Sequence, residues 1–145
     1  MSPVTRQSAT RRCSIASALD IVGEKWSLLV VRELLFGVRR FNDIATNTGA
    51  PRDILTSRLR RLEGLGVLER RAYSERPVRY EYRLTEAGKE LQPVMLALKR
   101  WGDEHVMDEP LPAVFEHTCG EAFVAQTHCR ACGEPFDRRS LTLRT

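Results

Sequence analysis

Lysine and histidine are scarce in this chain, although arginine is abundant. Only three of its 23 basic residues are lysines, and histidine occurs three times, always towards the C-terminus. Hydrolysis requires a base, a nucleophile and a group that orients them, and these histidines offer no such set. We therefore expect a protein that is not an enzyme.

Long apolar stretches are also lacking. The apolar run at 28–31 is far too short to cross a bilayer, and the first residues, MSPVTRQSATRRC, contain no apolar stretch of signal-peptide length. We therefore expect a cytoplasmic protein with no membrane partner. The four cysteines then favour metal or redox chemistry over a disulfide framework, because the cytosol keeps thiols reduced.

Positive charge is concentrated in one part of the chain. The net charge is +4, and the segment from Arg52 to Arg83 alone holds nine arginines against five acidic residues. The local excess of positive charge in this segment therefore equals the net charge of the whole chain. Because basic surfaces attract polyanions, this segment is the candidate for contact with nucleic acid.

Apolar residues at helical spacing predict four helices in the first half of the chain. They cover about 15–22, 25–36 and 41–46, and the fourth begins at Pro51, since proline is tolerated at the first helical position. The buried stripe of the fourth helix comprises Ile54, Leu55, Leu59 and Leu62.

Two segments of alternating pattern follow. Residues 67–73 and 78–84 are typical of strands, and the polar residues 74–77 between them predict a hairpin turn. Thr85 is a suitable N-cap for a final long helix, in which Pro93 predicts a kink or a break. The apolar seam of this helix suits a partner helix and comprises Leu91, Val94, Leu98 and Trp101.

This order of elements predicts a winged helix-turn-helix domain, a mainly α fold with a small β-hairpin wing. In such a domain one helix enters the major groove, and the wing contacts the backbone or the minor groove beside it. The candidate DNA-contacting residues are Arg52, Asp53, Thr56, Ser57 and Arg60 of the helix and Arg76 and Arg79 of the wing.

Several stretches of the chain form an ordered series that is specific to one family. They are Cys13 with the apolar helix after it, IVGEKWSLLVVREL from Ile21, RFNDI from Arg40, LTSRLRRLEGLGVLERR from Leu55, RPVRYEYRLTEAG from Arg76 and LQPVMLALKRWGDEH from Leu91. On these stretches, about residues 13–105, the chain resembles the HxlR family of bacterial transcriptional regulators, a dimeric winged-helix branch close to the MarR family. It departs from the family pattern at Ser14, where proline is frequent, and at Ala50, where a serine-like cap is more usual. The resemblance also implies that Pro93 is an ordinary feature and no helix stop.

The resemblance implies a sequence-specific DNA-binding transcriptional regulator. A two-fold homodimer joined at the seam would place two recognition helices about one DNA turn apart, so we expect a pseudo-palindromic operator. We expect a repressor, because no surface for polymerase contact is evident. Whether a small-molecule or redox effector binds is left open by the sequence.

The segment from His117 onwards predicts a structural Zn²⁺ site. Cys129 and Cys132, followed by glycine, form a C-x-x-C-G turn in which two thiolates can hold one metal ion. His117 and Cys119 would face the same side of an extended strand and complete a tetrahedral set in a small zinc-ribbon-like tail. His128 is the alternative to His117 as the fourth ligand. The alternative to metal binding is a flexible tail whose thiols are reduced and hold no metal.

Cys13 lies apart from that cluster. Some members of the resembled family use the matching cysteine to sense oxidants or electrophiles, which implies a redox switch at Cys13; a small, half-buried apolar residue is the alternative. Redox control through the Cys/His tail is a related alternative. A thiol oxidoreductase using Cys129 and Cys132 is disfavoured, because that chemistry requires the pair at the start of a helix after a strand.

These patterns divide the chain into four parts. We predict a flexible basic arm at 1–12, a DNA-binding and dimerisation domain at 13–107, a linker at 108–116 and a zinc-binding tail at 117–145.

Overall fold

The computed structural model describes residues 11–109 and 115–144. All but the last two residues of the predicted arm, and residues 110–114 of the predicted linker, lie outside these ranges. The described chain forms two compact units, the first ending at Lys89 and the second beginning at Glu90. No helix in the described ranges is long and apolar enough to cross a membrane.

The first unit contains four helices, a hairpin and a short fifth helix. This mainly α architecture with a β-hairpin confirms the predicted winged helix-turn-helix class. The elements in chain order are α1 (Ser14–Val22), α2 (Lys25–Leu35), α3 (Phe41–Thr48), α4 (Arg52–Gly64), β1 (Leu68–Glu75), β2 (Val78–Leu84) and α5 (Glu86–Lys89).

The turn between α3 and α4 depends on glycine. Gly49 has a φ of +73°, a left-handed conformation that other residues rarely adopt. The hydroxyl of Thr48 accepts a hydrogen bond from the backbone N–H of Ala50 at 3.2 Å. Pro51 then occupies the N-cap of α4, one residue earlier than predicted. The two helices are thus joined by a turn of three residues, as in helix-turn-helix proteins.

The core of the first unit fills the space between α2, α3, α4 and the base of the hairpin. Leu68 and Leu84 face each other at the first pair of the antiparallel ladder, and both are buried. The ladder has an irregularity between Ala72 and Ser74, so the outer part of the wing departs from strict alternation. The core side chains with the least exposure are Val30, Val31, Ile44, Leu55, Leu59, Leu62 and Leu68.

The final long helix is interrupted, and the break lies before Pro93 rather than at it. Helix α5 ends at Lys89, and α6 (Gln92–His105) begins with proline in its first turn, where the missing N–H costs no hydrogen bond. Gly88 in α5 lies directly against the carbonyl oxygen of Val67. The short helix is therefore fixed to the base of the wing by a backbone contact that only glycine allows.

The second unit contains α6 and the tail. Within the described part of the tail, regular structure is limited to one 3-10 turn, Arg138–Ser140, and two isolated antiparallel bridges, Glu116 with Ala122 and His128 with Pro135.

Candidate nucleic-acid interface

The arginines of α4 are divided between its two faces. Arg58 forms an ion pair with Glu24, which precedes α2, and Arg61 donates a hydrogen bond to the backbone carbonyl of Asp20 in α1 at 2.6 Å. These two arginines therefore hold α4 against the preceding helices. Both guanidinium groups are therefore engaged by other parts of the first unit, with Arg58 half-buried and Arg61 exposed.

The predicted DNA-contacting residues of α4 lie on its opposite, exposed face. Arg52, Asp53, Ser57 and Arg60 are exposed, and Thr56 is half-buried, with its hydroxyl donating to the carbonyl of Arg52 at 2.9 Å. Within the described residues, the guanidinium of Arg60 forms no hydrogen bond or ion pair. It is therefore available to an anionic ligand.

Arg52 has partners in α3 that the sequence pattern did not indicate. Its Nη2 atom donates to Oδ1 of Asn42 at 2.8 Å, and its Cζ atom lies 4.8 Å from the centre of the Phe41 ring. Both partners belong to the RFNDI stretch that opens α3. The sequence offered one signal of this contact, an asparagine in the first turn of the helix before the recognition helix. Only the angle between the two helices brings this asparagine to Arg52.

The wing carries the remaining predicted residues. Arg76 lies in the hairpin turn and Arg79 on β2, both exposed, and neither guanidinium forms a hydrogen bond or ion pair among the described residues. Further along the hairpin, Arg70 stacks on Tyr80, with 4.1 Å between its Cζ atom and the ring centre. Burial raises the pKa of Tyr82, the next tyrosine along β2.

The wing is also joined to the start of α3. The backbone N–H of Tyr82 donates to the carbonyl of Arg39 at 2.8 Å, and Arg40 stacks on Tyr73 at 4.4 Å. A hydrogen bond from Arg83 lowers the pKa of Glu81, and the charges of Arg39 and Arg40 lower it further. A cleft of about 490 Å³ separates the first turn of α3 from the wing.

This arrangement suits double-stranded DNA. An α-helix with a polar outer face fits the major groove, and cationic side chains on a neighbouring hairpin can reach phosphates. Arginine supplies both functions, since its guanidinium forms paired hydrogen bonds with guanine edges and with phosphate oxygens. Exposed guanidinium groups lie on both elements that perform these roles, Arg52 and Arg60 on α4 and Arg76 and Arg79 on the wing.

In the second unit, the seam predicted for dimerisation is exposed. Val94, Leu98 and Trp101 are 53%, 51% and 58% exposed, and Leu91 is half-buried. The four lie at helical spacing along the start and length of α6, so they form one apolar stripe.

The tail cysteines lie in turns. Cys129 and Cys132 are in a turn closed by the N–H of Gly133, which donates to the carbonyl of Cys129 at 2.7 Å. Hydrogen bonds from the backbone N–H groups of Cys132 and Ala131 and from the Cys132 thiol lower the pKa of Cys129. The pair does not open a helix, so the arrangement expected of a thiol oxidoreductase is missing from the described tail.

The segment around His117 differs from the sequence prediction. It was expected to be extended, but it forms a turn in which the N–H of Gly120 donates to the carbonyl of His117 at 2.8 Å. The N–H of Cys119 donates to Nδ1 of His117 at 3.3 Å. Within the described residues, no three His, Cys, Asp or Glu side chains lie close enough together to hold a metal ion. The two predicted ligand pairs therefore occupy separate turns.

Cys13 occupies the N-cap position of α1. Its carbonyl accepts a hydrogen bond from the N–H of Ser17 at 3.1 Å, and the residue is exposed. Its thiol is therefore accessible to reagents in solvent.

Comparison with known proteins identifies the family. The family model of HxlR-like helix-turn-helix proteins matches residues 21–110. The HTH-type transcriptional regulator MT3179 of Mycobacterium tuberculosis is 47% identical over 131 residues, which cover 89% of this chain and 83% of that protein. Several further relatives also bear the name of transcriptional regulators.

Solved structures agree with this assignment. The crystal structure of PA1607, named as a transcription factor, superimposes with a TM-score of 0.80 at 30% identity, covering 95% of this chain and 96% of that one. The redox regulator HypR in its reduced form gives a TM-score of 0.56 at 33% identity, covering 63% of this chain and 92% of that one. The chain therefore belongs to the HxlR-like helix-turn-helix family and is a DNA-binding transcriptional regulator.

Proposed function

We propose that the protein represses transcription by binding a pseudo-palindromic operator as a homodimer, with α4 in the major groove and the wing on the adjacent backbone. The observation that carries this proposal is the division of the arginines in α4. The side chains of Arg58 and Arg61 are engaged by Glu24 and by the Asp20 carbonyl, whereas the exposed side chain of Arg60 has no hydrogen bond or ion pair among the described residues. Repression follows from occupancy, because a bound dimer covers the promoter.

Arg60 and Arg61 provide a charge-matched test of this interface. Replacing Arg60 by alanine is expected to weaken binding to the operator at least about tenfold, which corresponds to losing at least about 1.4 kcal/mol and lies within the usual range of about 1–3 kcal/mol for one contact. If Arg60 contacts phosphate in both protomers, the slope of log K for association against log salt becomes less negative by about 1.8 in the alanine variant, since each lost contact contributes about 0.9. Arg61→Ala removes the same charge from the same helix and should have a much smaller effect on affinity.

Gel-shift titration at several salt concentrations measures both quantities. Equal affinity of Arg60→Ala and the parent protein would remove Arg60 from the interface. Equal losses in Arg60→Ala and Arg61→Ala would show that the effect comes from net charge alone. A reporter placed behind the operator tests the sign of regulation, because repression requires higher expression when the regulator is deleted.

The exposed stripe of α6 supports the homodimer. Apolar side chains such as Leu98 and Trp101, each more than half exposed, form a continuous face that is unfavourable in water unless another surface covers it. A second copy is the occupant we propose, since a two-fold dimer presents two recognition helices to the two halves of an operator. Light scattering should report about twice the 16.5 kDa mass of the chain, and a persistent monomer would contradict the dimer.

Redox control through Cys13 is a second proposal. It is supported by the exposure of this thiol and by the similarity to HypR, which is named as a redox regulator. A peroxide would transfer one oxygen atom to the thiol, giving a sulfenic acid and releasing water. DNA binding by the parent protein should then change after peroxide treatment and that of Cys13→Ser should not.

Zinc binding by the tail is a third proposal. Each predicted ligand pair lies in a turn with a glycine of positive φ directly after its last cysteine, Gly120 at +93° and Gly133 at +76°. Such turns suit metal sites, because they leave backbone N–H groups free to donate to thiolates. A shared ion requires the two turns to approach each other, and residues 123–127, which join them, have no regular secondary structure.

A further inference from the structure

The partners of Arg52 distinguish it from the other basic residues of the interface. The side chains of Arg60, Arg76 and Arg79 form no hydrogen bond or ion pair in the described parts of the chain. Arg52 donates to Asn42 at 2.8 Å and lies 4.8 Å from the ring centre of Phe41. Its guanidinium is therefore held on two sides before any DNA is present.

The hydrogen bond leaves Arg52 able to read a base. Nη2 carries two hydrogens and uses one on Asn42, so one edge of the guanidinium, either Nη1–Nη2 or Nε–Nη2, still offers two parallel donors. This is the edge that pairs with O6 and N7 of guanine in the major groove. Asn42 therefore orients the guanidinium without blocking it.

The holding residues are themselves fixed. Phe41 is half-buried at the start of α3, and the segment before it is tied to the wing through the carbonyl of Arg39 and the stacking of Arg40 on Tyr73. The first turn of α3 and the two residues before it thus contact both DNA-binding elements. A side chain anchored there can set the direction of Arg52 relative to the groove.

We propose that Asn42 is a specificity-determining positioning residue, which holds Arg52 in the orientation that recognises one guanine in each half-site. This proposal rests on the proposed DNA-binding function. Ordering an arginine in advance removes part of the entropy cost of binding, and a freed side chain would weaken the correct contact by about two- to tenfold. A freed Arg52 side chain would bind a wrong base almost as well as a held one, so the discrimination between the correct and a wrong base falls.

A double-mutant cycle tests the coupling. Affinities are measured for the parent protein, Asn42→Ala, Arg52→Ala and the double variant, on the selected operator and on duplexes with each base pair changed in turn. Arg52→Ala should lose discrimination at one base pair per half-site. Asn42→Ala should reduce discrimination about two- to tenfold at that same pair, with an unchanged salt slope, and should have no effect once Arg52 is gone.

A matched control and a DNA-free measurement complete the test. Thr46→Ala removes another exposed side chain of α3, whose hydroxyl donates to the carbonyl of Asn42 and not to Arg52, and should leave discrimination unchanged. The melting temperature of Asn42→Ala should equal that of the parent, because Asn42 is exposed. Side-chain NMR of the free protein should show slowed rotation of the Arg52 guanidinium that Asn42→Ala releases.

Opposite results overturn the inference. Unchanged discrimination in Asn42→Ala, or an effect of equal size with and without Arg52, would show that Asn42 does not act through Arg52. A freely rotating Arg52 guanidinium in the parent protein would refute the positioning even if no operator were found. Failure of the parent protein to select any DNA motif would instead count against the proposed function, so the two failures are distinguishable.

Discussion

Replacing Glu33 by alanine is expected to lower the free energy of unfolding by about 2–4 kcal/mol. Glu33 is a buried carboxylate of α2, only 3% exposed. Its Oε1 accepts from Arg32 Nε at 2.9 Å, and its Oε2 accepts from Asn47 Nδ2 at 2.9 Å, which ties α2 to the end of α3. Removing one partner of a buried charged pair usually costs about 3–5 kcal/mol. Arg32 is one-third exposed and can be rehydrated, which reduces the cost.

Urea denaturation followed by circular dichroism measures this change. The melting temperature should fall on the order of 10 °C in a unit of this size. Glu90→Ala is the matched control, because Glu90 is exposed and has no hydrogen bond or ion pair among the described residues. A free energy of unfolding for Glu33→Ala within about 1 kcal/mol of the parent would refute the reasoning, since it would mean that the network contributes no more than an ordinary surface pair.

Three further predictions concern packing and the cysteines. Gly88→Ala should destabilise the first unit by about 1–3 kcal/mol in urea denaturation, because the added methyl group overlaps the carbonyl oxygen of Val67. Gly64→Ala is the control: its methyl group meets open space, so this variant should be neutral or slightly stabilised. Elemental analysis should find zinc bound to the purified chain and lost on Cys129→Ser; zinc-free protein would end that proposal. Cys13→Ser should abolish the change in DNA binding after peroxide, and an unaltered response would end the proposed switch.

The helices and the wing were predictable because their signals are local. Buried leucines at helical spacing in α4 survive in the structure, and Gly23 and Gly49 end helices as local rules require. The strand β2 forms as predicted, but its burial does not alternate, since Val78 and Tyr80 are exposed and only Leu84 is buried. The family motifs strengthened the same conclusion. The helix-turn-helix order and the class of regulator are therefore confirmed.

The break before α6 was misplaced because its cause is partly tertiary. Pro93 indicated a break at its own position, but proline is compatible with the first turn of a helix, and α5 ends earlier, at Lys89. The contact between Gly88 and the Val67 carbonyl, which fixes α5, joins residues far apart in sequence. No pattern within the helix reveals it.

The sequence predicted which helix face forms the candidate interface, but it did not predict the hydrogen-bond partners of the arginines on that helix. Helical spacing separated the exposed Arg52 and Arg60 from the buried leucines, and the structure places both on the outer face. Helical spacing could not show that the Asp20 carbonyl accepts from Arg61 or that Asn42 holds Arg52, since both contacts depend on the angles between helices. The turn around His117 was missed for a related reason, because its hydrogen bonds close over only a few residues and resemble no regular pattern.

The most direct test of the account is selection of bound duplexes from a random DNA library. The parent protein should enrich a palindrome whose half-sites are about one helical turn apart, and an Arg52→Ala/Arg60→Ala double variant should lose that motif. An Arg58→Ala/Arg61→Ala variant removes the same charge from α4 at side chains engaged by Glu24 and the Asp20 carbonyl, and it should enrich the same palindrome as the parent. If the parent enriches no motif, or if the outer-face variant selects the same palindrome, the assignment of α4 as the recognition helix is contradicted.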